Sequence, residues 1–342
     1  MSNHRKIRRA ATKKEDTPNR NGAALALTKV EKCYPRLNKP AVENFSIDID
    51  TGEVVCLVGP PGCGKTTTLK MINRLIEPTS GEIFIDNEST LSIDPPQLRR
   101  RIGYMAKEVG LFPHMTVTQN VGAIPRILGW EEGVVHARVD ELLRLAGLDP
   151  RQINGLYPSQ LSGDQQQRIG MARALAADPP VLLLDEPFGA TEPHARKRLQ
   201  GDFLHIQRTL GKTIVFVTQD FQEALRVADR VAILSERAKI IQYDRPSEIL
   251  AHPANPYVAS FFSTHVGITR LGLLTVADTR LLPAGQQLAD AVVTTSTTLQ
   301  DALDMLVQLR RPRLTVVDKD GITVGELDFY TVAQATADKD GL

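Results

Sequence analysis

The sequence predicts an α/β fold with a mainly parallel sheet covered on both faces, on three observations. Short runs at 53–58 (EVVCLV), 181–187 (VLLLDEP) and 213–218 (TIVFVT) read as buried strands, apolar without alternation. Helical segments separate them, the alternation typical of parallel sheets. The first strand opens into a Gly-rich turn and a helix, GPPGCGKTTTLKMINRLI, with Leu69, Ile72, Leu75 and Ile76 on one face.

Along the chain, residues 1–23 are basic and polar with almost no apolar content, and are expected to form a disordered basic tail. Such a tail is either simply solvated or a contact for anionic lipid or RNA. The alternating pattern occupies 24–262, and within it strands stop over about 108–170, which predicts a helical subdomain. Pro and Asn in AHPANPYVASFF (251–262) mark a boundary. The last unit, 268–342, reads as small and α+β. TLQDALDMLVQL presents Leu299, Ala302, Leu303, Leu306 and Val307 at helical spacing, and RLTVVDKDGITVGEL gives two strands joined by an Asp-Gly turn.

The 342 residues, 42% apolar and 24% charged, suffice for one large domain plus a small one. A formal net charge of +1 gives no global field for nucleic acid or anionic lipid. Cys33, Cys56 and Cys63 suit free thiols in a reducing compartment. No apolar run reaches the ~20 residues needed to span a bilayer, and the N-terminal stretch lacks the apolar core of a signal peptide. The expectation is a cytoplasmic protein whose membrane role is peripheral.

GPPGCGKT fits G-x-x-x-x-G-K-[ST] between a strand and a helix, which makes Gly59, Pro60, Pro61, Gly62, Cys63, Gly64, Lys65, Thr66 and Thr67 a phosphate cradle. Backbone N–H groups and the helix N-terminus surround the α- and β-phosphates of ATP. Lys65 reaches the β- and γ-phosphates, and the Thr66 hydroxyl goes to Mg²⁺. The strand at 181–185 ends in Asp185, placed to hold Mg²⁺ through water, and Glu186, placed to take a proton from an attacking water. An acidic pair after a strand is weak by itself; joined to the cradle it is a strong signal.

At these residues the chain resembles the nucleotide-binding domain of the ATP-binding cassette (ABC) family, over about 24–260. LSGDQQQR resembles the family signature and assigns Ser162, Gly163, Asp164 and Gln165 to the γ-phosphate of a facing protomer. VLLLDEPFGATE resembles the Walker B strand and D-loop, and TIVFVTQD the switch-histidine strand. Tyr34 matches the aromatic that stacks on adenine. The stretches KMINRLIEPTSGEIFID and GLFPHMTVTQNVGAIPRILGW resemble ATPase subunits of importers for glycine betaine, carnitine, choline or proline. The tail resembles a single CBS motif. The resemblance implies a P-loop NTPase (RecA-like) core with antiparallel β and helical subdomains, plus a small CBS-like unit. It also implies integral membrane permease subunits, a second ATPase subunit in a homodimer, and a separate substrate-binding protein. The implied location is the cytoplasmic face of the cell membrane, with no nucleic acid partner.

Five residues depart from the family pattern. Pro61 stands at a usual Ser, Lys107 at the Q-loop glutamine, Asp164 at the second signature glycine, Glu192 at the D-loop aspartate and Gln219 at the switch histidine. Tyr34, Lys65, Thr66 and Asp185 are kept. A carboxylate at ~4 Å from a phosphate charge costs roughly 4 kcal/mol at an effective dielectric near 20. Nucleotide and Mg²⁺ binding are therefore expected to persist, with closure and hydrolysis impaired. Two readings follow: a transport ATPase using Glu186 and Gln219, or a hydrolysis-deficient regulatory subunit of such a transporter. One conceivable compensation is a Lys107–Asp164 pair across the interface. In the tail, GELDFYT puts Asp328 and Thr331 where adenosine-binding CBS motifs carry Ser/Thr and Asp, which argues against an adenosine ligand and leaves a packing appendage as the alternative. His114, His194, His205 and His252 form no metal-ligand spacing.

Overall fold

A computed structural model describes residues 23–35, 38–189, 193–262, 271–284 and 291–337. The basic tail at 1–22, Glu192 and the side chain of His194 lie outside the described residues.

The described residues open with β1 (Ala23–Lys32), β2 (Val42–Asp50), β3 (Val54–Val58) and α1 (Lys65–Ile72). Next come β4 (Ser80–Ile85), β5 (Glu88–Ser89), α2 (Pro95–Arg101) and β6 (Ile102–Met105). A helical stretch follows: α3 (Val117–Val121), α4 (Ala123–Ile127), α5 (Glu132–Leu145), α6 (Pro150–Ile153) and α7 (Gly163–Leu175). The alternation resumes with β7 (Val181–Asp185), α8 (Pro193–Leu210), β8 (Thr213–Thr218), α9 (Phe221–Val227), β9 (Arg230–Leu234) and β10 (Ile240–Asp244). Two short helices, α10 (Pro246–Ala251) and α11 (Pro256–Ser260), lead to the last unit. That unit holds β11 (Val292–Thr294), α12 (Leu299–Gln308), β12 (Arg313–Val317), β13 (Thr323–Asp328) and α13 (Phe329–Ala337).

The main sheet runs β10-β9-β3-β8-β7-β6, parallel except for the antiparallel edge strand β10. A second, antiparallel sheet runs β2-β1-β4-β5. Successive strand residues point to opposite faces, and both faces of the main sheet are covered. Cys56, Val58, Leu182, Leu184, Ile214 and Phe216 pack with the helical side, where Phe188 and Phe203 meet Phe216 edge to face. Val55, Leu57, Val181, Leu183, Val215 and Val217 pack against α1 and the antiparallel sheet. Two-sided burial is why these strands read as unbroken apolar runs.

Two details of the helices differ from the sequence pattern. α1 stops at Ile72 because Arg74 takes a left-handed backbone (φ 45°), which turns Leu75 outward, 49% exposed. The helical stretch extends past 170, because α7 continues to Leu175 and buries Ile169, Met171, Ala172 and Leu175 on one face.

In the last unit the sheet order is β11-β12-β13, the first pair parallel and the second antiparallel. Its core gathers Val293, Leu299, Ala302, Leu306, Leu314, Val316, Leu327 and Val332. The Asp-Gly turn is present: Asp318 Oδ1 accepts the N–H groups of Asp320 and Ile322, and Gly321 supplies φ 79°. Val307 is 59% exposed, because Leu299, Ala302 and Leu306 define the buried stripe and Val307 lies about 100° beyond it.

Candidate functional site

The strands β3, β8, β7 and β6 are adjacent and parallel, so their carboxyl ends form one edge. The register pairs Val58 with Thr218, Val217 with Asp185, and Leu184 with Met105. Loops bearing Gly59–Thr66, Gln219, Glu186 and Lys107 therefore leave the sheet side by side, the usual place for a ligand in an open α/β sheet.

In the Gly-rich turn two glycines are required by geometry. A Cβ on Gly64, whose φ is 113°, would lie 2.7 Å from the Ala41 carbonyl oxygen, and one on Gly59 would lie 2.6 Å from that of Leu234. The Lys65 ammonium is buried and curls over the turn, donating to the carbonyls of Gly59 (2.6 Å) and Pro60 (2.9 Å). Pro61 and Gly62 face outward, Thr67 is half-buried, and the Cys63 side chain is only 2% exposed. Tyr34 follows the end of β1, half-buried, with the Lys32 ammonium 5.3 Å from its ring centroid.

The Thr66 hydroxyl donates to Asp185 Oδ1 at 3.1 Å. Burial pushes the Asp185 carboxyl above its ordinary value, opposed by the Thr66 bond. A hydroxyl and a buried carboxylate beside a phosphate cradle are hard oxygen donors, and they fit Mg²⁺, which typically takes one or two protein oxygens together with substrate phosphates.

Glu186 is clamped. Its Oε2 lies 2.8 Å from the Lys107 ammonium, and its Oε1 accepts the Gln219 side-chain amide at 2.7 Å. Its backbone is left-handed (φ 49°), with its N–H donating to the Val217 carbonyl at 2.9 Å. A non-glycine residue held there stores strain, which clusters at functional sites. Burial pushes the Glu186 carboxyl up, and the bonds from Lys107 and Gln219 outweigh it and hold the group below its ordinary range.

Ser162 caps α7: its Oγ accepts the Gln165 N–H, and Gln165 Oε1 accepts the Ser162 N–H, a capping box. Gly163 opens the helix and is exposed. Asp164 Oδ2 accepts from the buried Arg168 Nε at 2.9 Å, one helical turn on, and its Oδ1 is enclosed. Arg168 also reaches Asp202 at 2.6 Å. The Asp164 carboxylate is thus paired within its own chain, with a guanidinium that it shares with Asp202. Lys107 and Asp164, the pair considered across an interface, each have a partner of their own.

An ABC transporter family model matches residues 42–189. The glycine betaine/carnitine/choline transport ATP-binding protein OpuCA of Bacillus subtilis is 46% identical over 310 residues, 91% of this chain and 80% of OpuCA. The chain belongs to the ABC transporter ATP-binding proteins. The osmoprotectant import ATP-binding protein OsmV of Salmonella typhimurium is 45% identical over 285 residues, covering 83% of this chain and 73% of OsmV. Among solved structures, the dimeric post-hydrolysis state of the ATP-binding cassette MJ0796 bound to ADP and Pi is 34% identical. It covers 65% of this chain and 98% of its own, with a TM-score of 0.58. Among the described residues of this ABC protein no helix is long and apolar enough to cross a membrane.

The sequence motifs did not reveal Arg168 as the counter-charge of Asp164, although the i,i+4 spacing on a helix was a usable signal. The Lys107–Glu186 pair carried no such signal, because it joins the ends of β6 and β7, which the helical stretch keeps far apart in the chain.

Proposed function

We propose that this chain is the ATP-binding subunit of an importer for betaine-type quaternary amines, working as a homodimer on integral permease subunits fed by a separate substrate-binding protein. The observation that carries the reading is the convergence of the phosphate turn, Thr66–Asp185 and Glu186 on one sheet edge, in a family whose relatives are named for glycine betaine, carnitine and choline transport. The cytoplasmic face of the membrane is the corresponding location.

In the proposed site Tyr34 stacks on adenine, and the 59–67 turn with Lys65 holds the phosphates. Thr66 and Asp185 hold Mg²⁺, which when bound neutralises phosphate charge. Ser162, Gly163 and Gln165 of a second copy present the capped start of α7 to the γ-phosphate. Asp164 contributes by fixing that helix start through Arg168 rather than by facing the nucleotide. Glu186 accepts the proton of the attacking water, and Gln219 orients Glu186.

The clamp on Glu186 favours a second reading, a nucleotide-binding regulatory subunit of the same transporter with little turnover. Steady-state ATPase of the complex, beside a Glu186→Gln control, separates the two: a rate equal to the control selects the second. Substrate class is tested by uptake of labelled glycine betaine, choline and carnitine in cells expressing the chain with its permease. Lys65→Ala is expected to abolish uptake, and uptake that persists overturns the assignment.

The last unit, a three-stranded sheet with α12 and α13, supports a single CBS-like motif at 268–342 beside an ATPase domain at 24–262. Asp328 is committed to capping α13, which argues against an adenosine ligand there.

A further inference from the structure

We propose that Lys107 is a positioning residue that locks Glu186 in the unclosed chain, and that movement of the helical subdomain releases it. The inference rests on the ATPase reading above. In hydrolysis the water oxygen bonds to the γ-phosphorus, the bond from phosphorus to the β–γ bridging oxygen breaks with its electrons going to ADP, and the water proton passes to Glu186. Here both carboxylate oxygens already accept, Oε2 from Lys107 and Oε1 from Gln219. The Glu186 backbone is fixed by its bond to Val217, so only the side chain moves.

Lys107 is the movable half of the pair. Its side chain is 61% exposed, against 19% for Glu186, and it lies on the connection between β6 and α3. That connection is tied to the helix that the signature heads. Arg173 of α7 donates to the carbonyls of Val109 (2.6 Å) and Gly110 (2.7 Å). A Cβ on Gly170 of α7 would lie 2.4 Å from Val109 Cγ1, so helix and loop meet without room for a side chain. α7 also meets the loop after β7, where Gln167 donates to the Pro187 carbonyl, but the Glu186 backbone is held to β8, so a rotation of α7 that carries Val109 and Gly110 with it draws Lys107 off Glu186. The lock thus links signature-helix movement to freeing the proton acceptor, and a glutamine at 107 would form no ion pair with Glu186.

The test uses the full-length chain and its Lys107→Gln, Lys107→Met, Glu186→Gln and Lys107→Gln/Glu186→Gln variants. A fluorescent ATP analogue with Mg²⁺ measures binding, and steady-state turnover gives kcat and KM. Lys107→Gln and Lys107→Met are expected to raise kcat about fivefold with KM changed less than about twofold, a small part of the 10²–10⁴ a general base supplies. The rise is expected to vanish in the Glu186→Gln background. A merely structural salt bridge does not raise kcat when removed. Analogue binding with an unchanged or lower kcat in Lys107→Gln overturns the lock, as does a rise that survives Glu186→Gln. Failure of the parent chain to bind the analogue overturns the ATPase reading itself, before the lock is reached.

Discussion

Asp164 shows how one neighbour decides what a side chain does. A carboxylate in place of the signature glycine is alarming only while its charge is free, and here Arg168 holds it one turn along α7. Arg168 keeps Asp202 when Asp164 is removed, so Asp164→Gly is expected to lower unfolding free energy by about 1–3 kcal/mol, measured by urea denaturation, with no gain in ATPase rate. Gain of activity without loss of stability would show that the carboxylate faces the nucleotide after all. The thiols divide in the same way. Cys63, in the phosphate turn, is 2% exposed, whereas Cys33 is exposed and its thiol is held above its ordinary value mainly by the hydrogen bond to Glu31. Alkylation is expected to mark Cys33 first, faster at higher pH, without loss of nucleotide binding. Loss of binding is expected to track the later labelling of Cys63, followed by peptide mass spectrometry.

At the scale of elements, the sequence was most readable where one signal ruled and least where two competed. β3, β7 and β8 were plain because both their faces are buried. β11 is three residues long, too short for a pattern, and α13 begins on the residue after β13 ends, so no loop announced it. What starts α13 is Asp328, whose Oδ1 accepts both the N–H and the hydroxyl of Thr331 at 2.8 Å. Partial burial pushes the Asp328 carboxyl up, and the Thr331 bonds with the Arg313 charge prevail and hold it below the usual range. A carboxyl depressed by folding contributes stability above its unfolded value, near 3.9, and that contribution is lost as pH falls through the lower folded value. The last unit is therefore expected to lose resistance to urea below about pH 4, and Asp328→Asn to flatten that part of the profile while costing about 1 kcal/mol at neutral pH. An unaltered pH profile in Asp328→Asn would remove the cap from the explanation.

For the molecule as a whole, motif content and spatial order are separate facts. The phosphate turn and the acidic strand were visible in the chain, but the sheet order β3-β8-β7-β6 was not, and that order brings Lys107 and Gln219 to the two oxygens of Glu186. Of the residues that break the family pattern, Lys107 and Gln219 are therefore joined to Glu186 in this structure. In the proposed dimer, closure of two copies depends on whether each start of α7 presents N–H groups without a free negative charge. Ser162 and Gln165 satisfy each other there, and the Asp164 carboxylate is turned to Arg168, which supports the polarity of a helix start that favours an anion. Glu186→Gln removes the proposed proton acceptor and leaves this surface intact. With Mg·ATP at millimolar concentration, this variant is expected to migrate as a dimer in size exclusion, and adding Arg168→Met, which strands the carboxylates of Asp164 and Asp202, to return it to monomer. A Glu186→Gln chain that binds ATP yet stays monomeric would mean that the bulk of Asp164, rather than its charge, keeps the two copies apart.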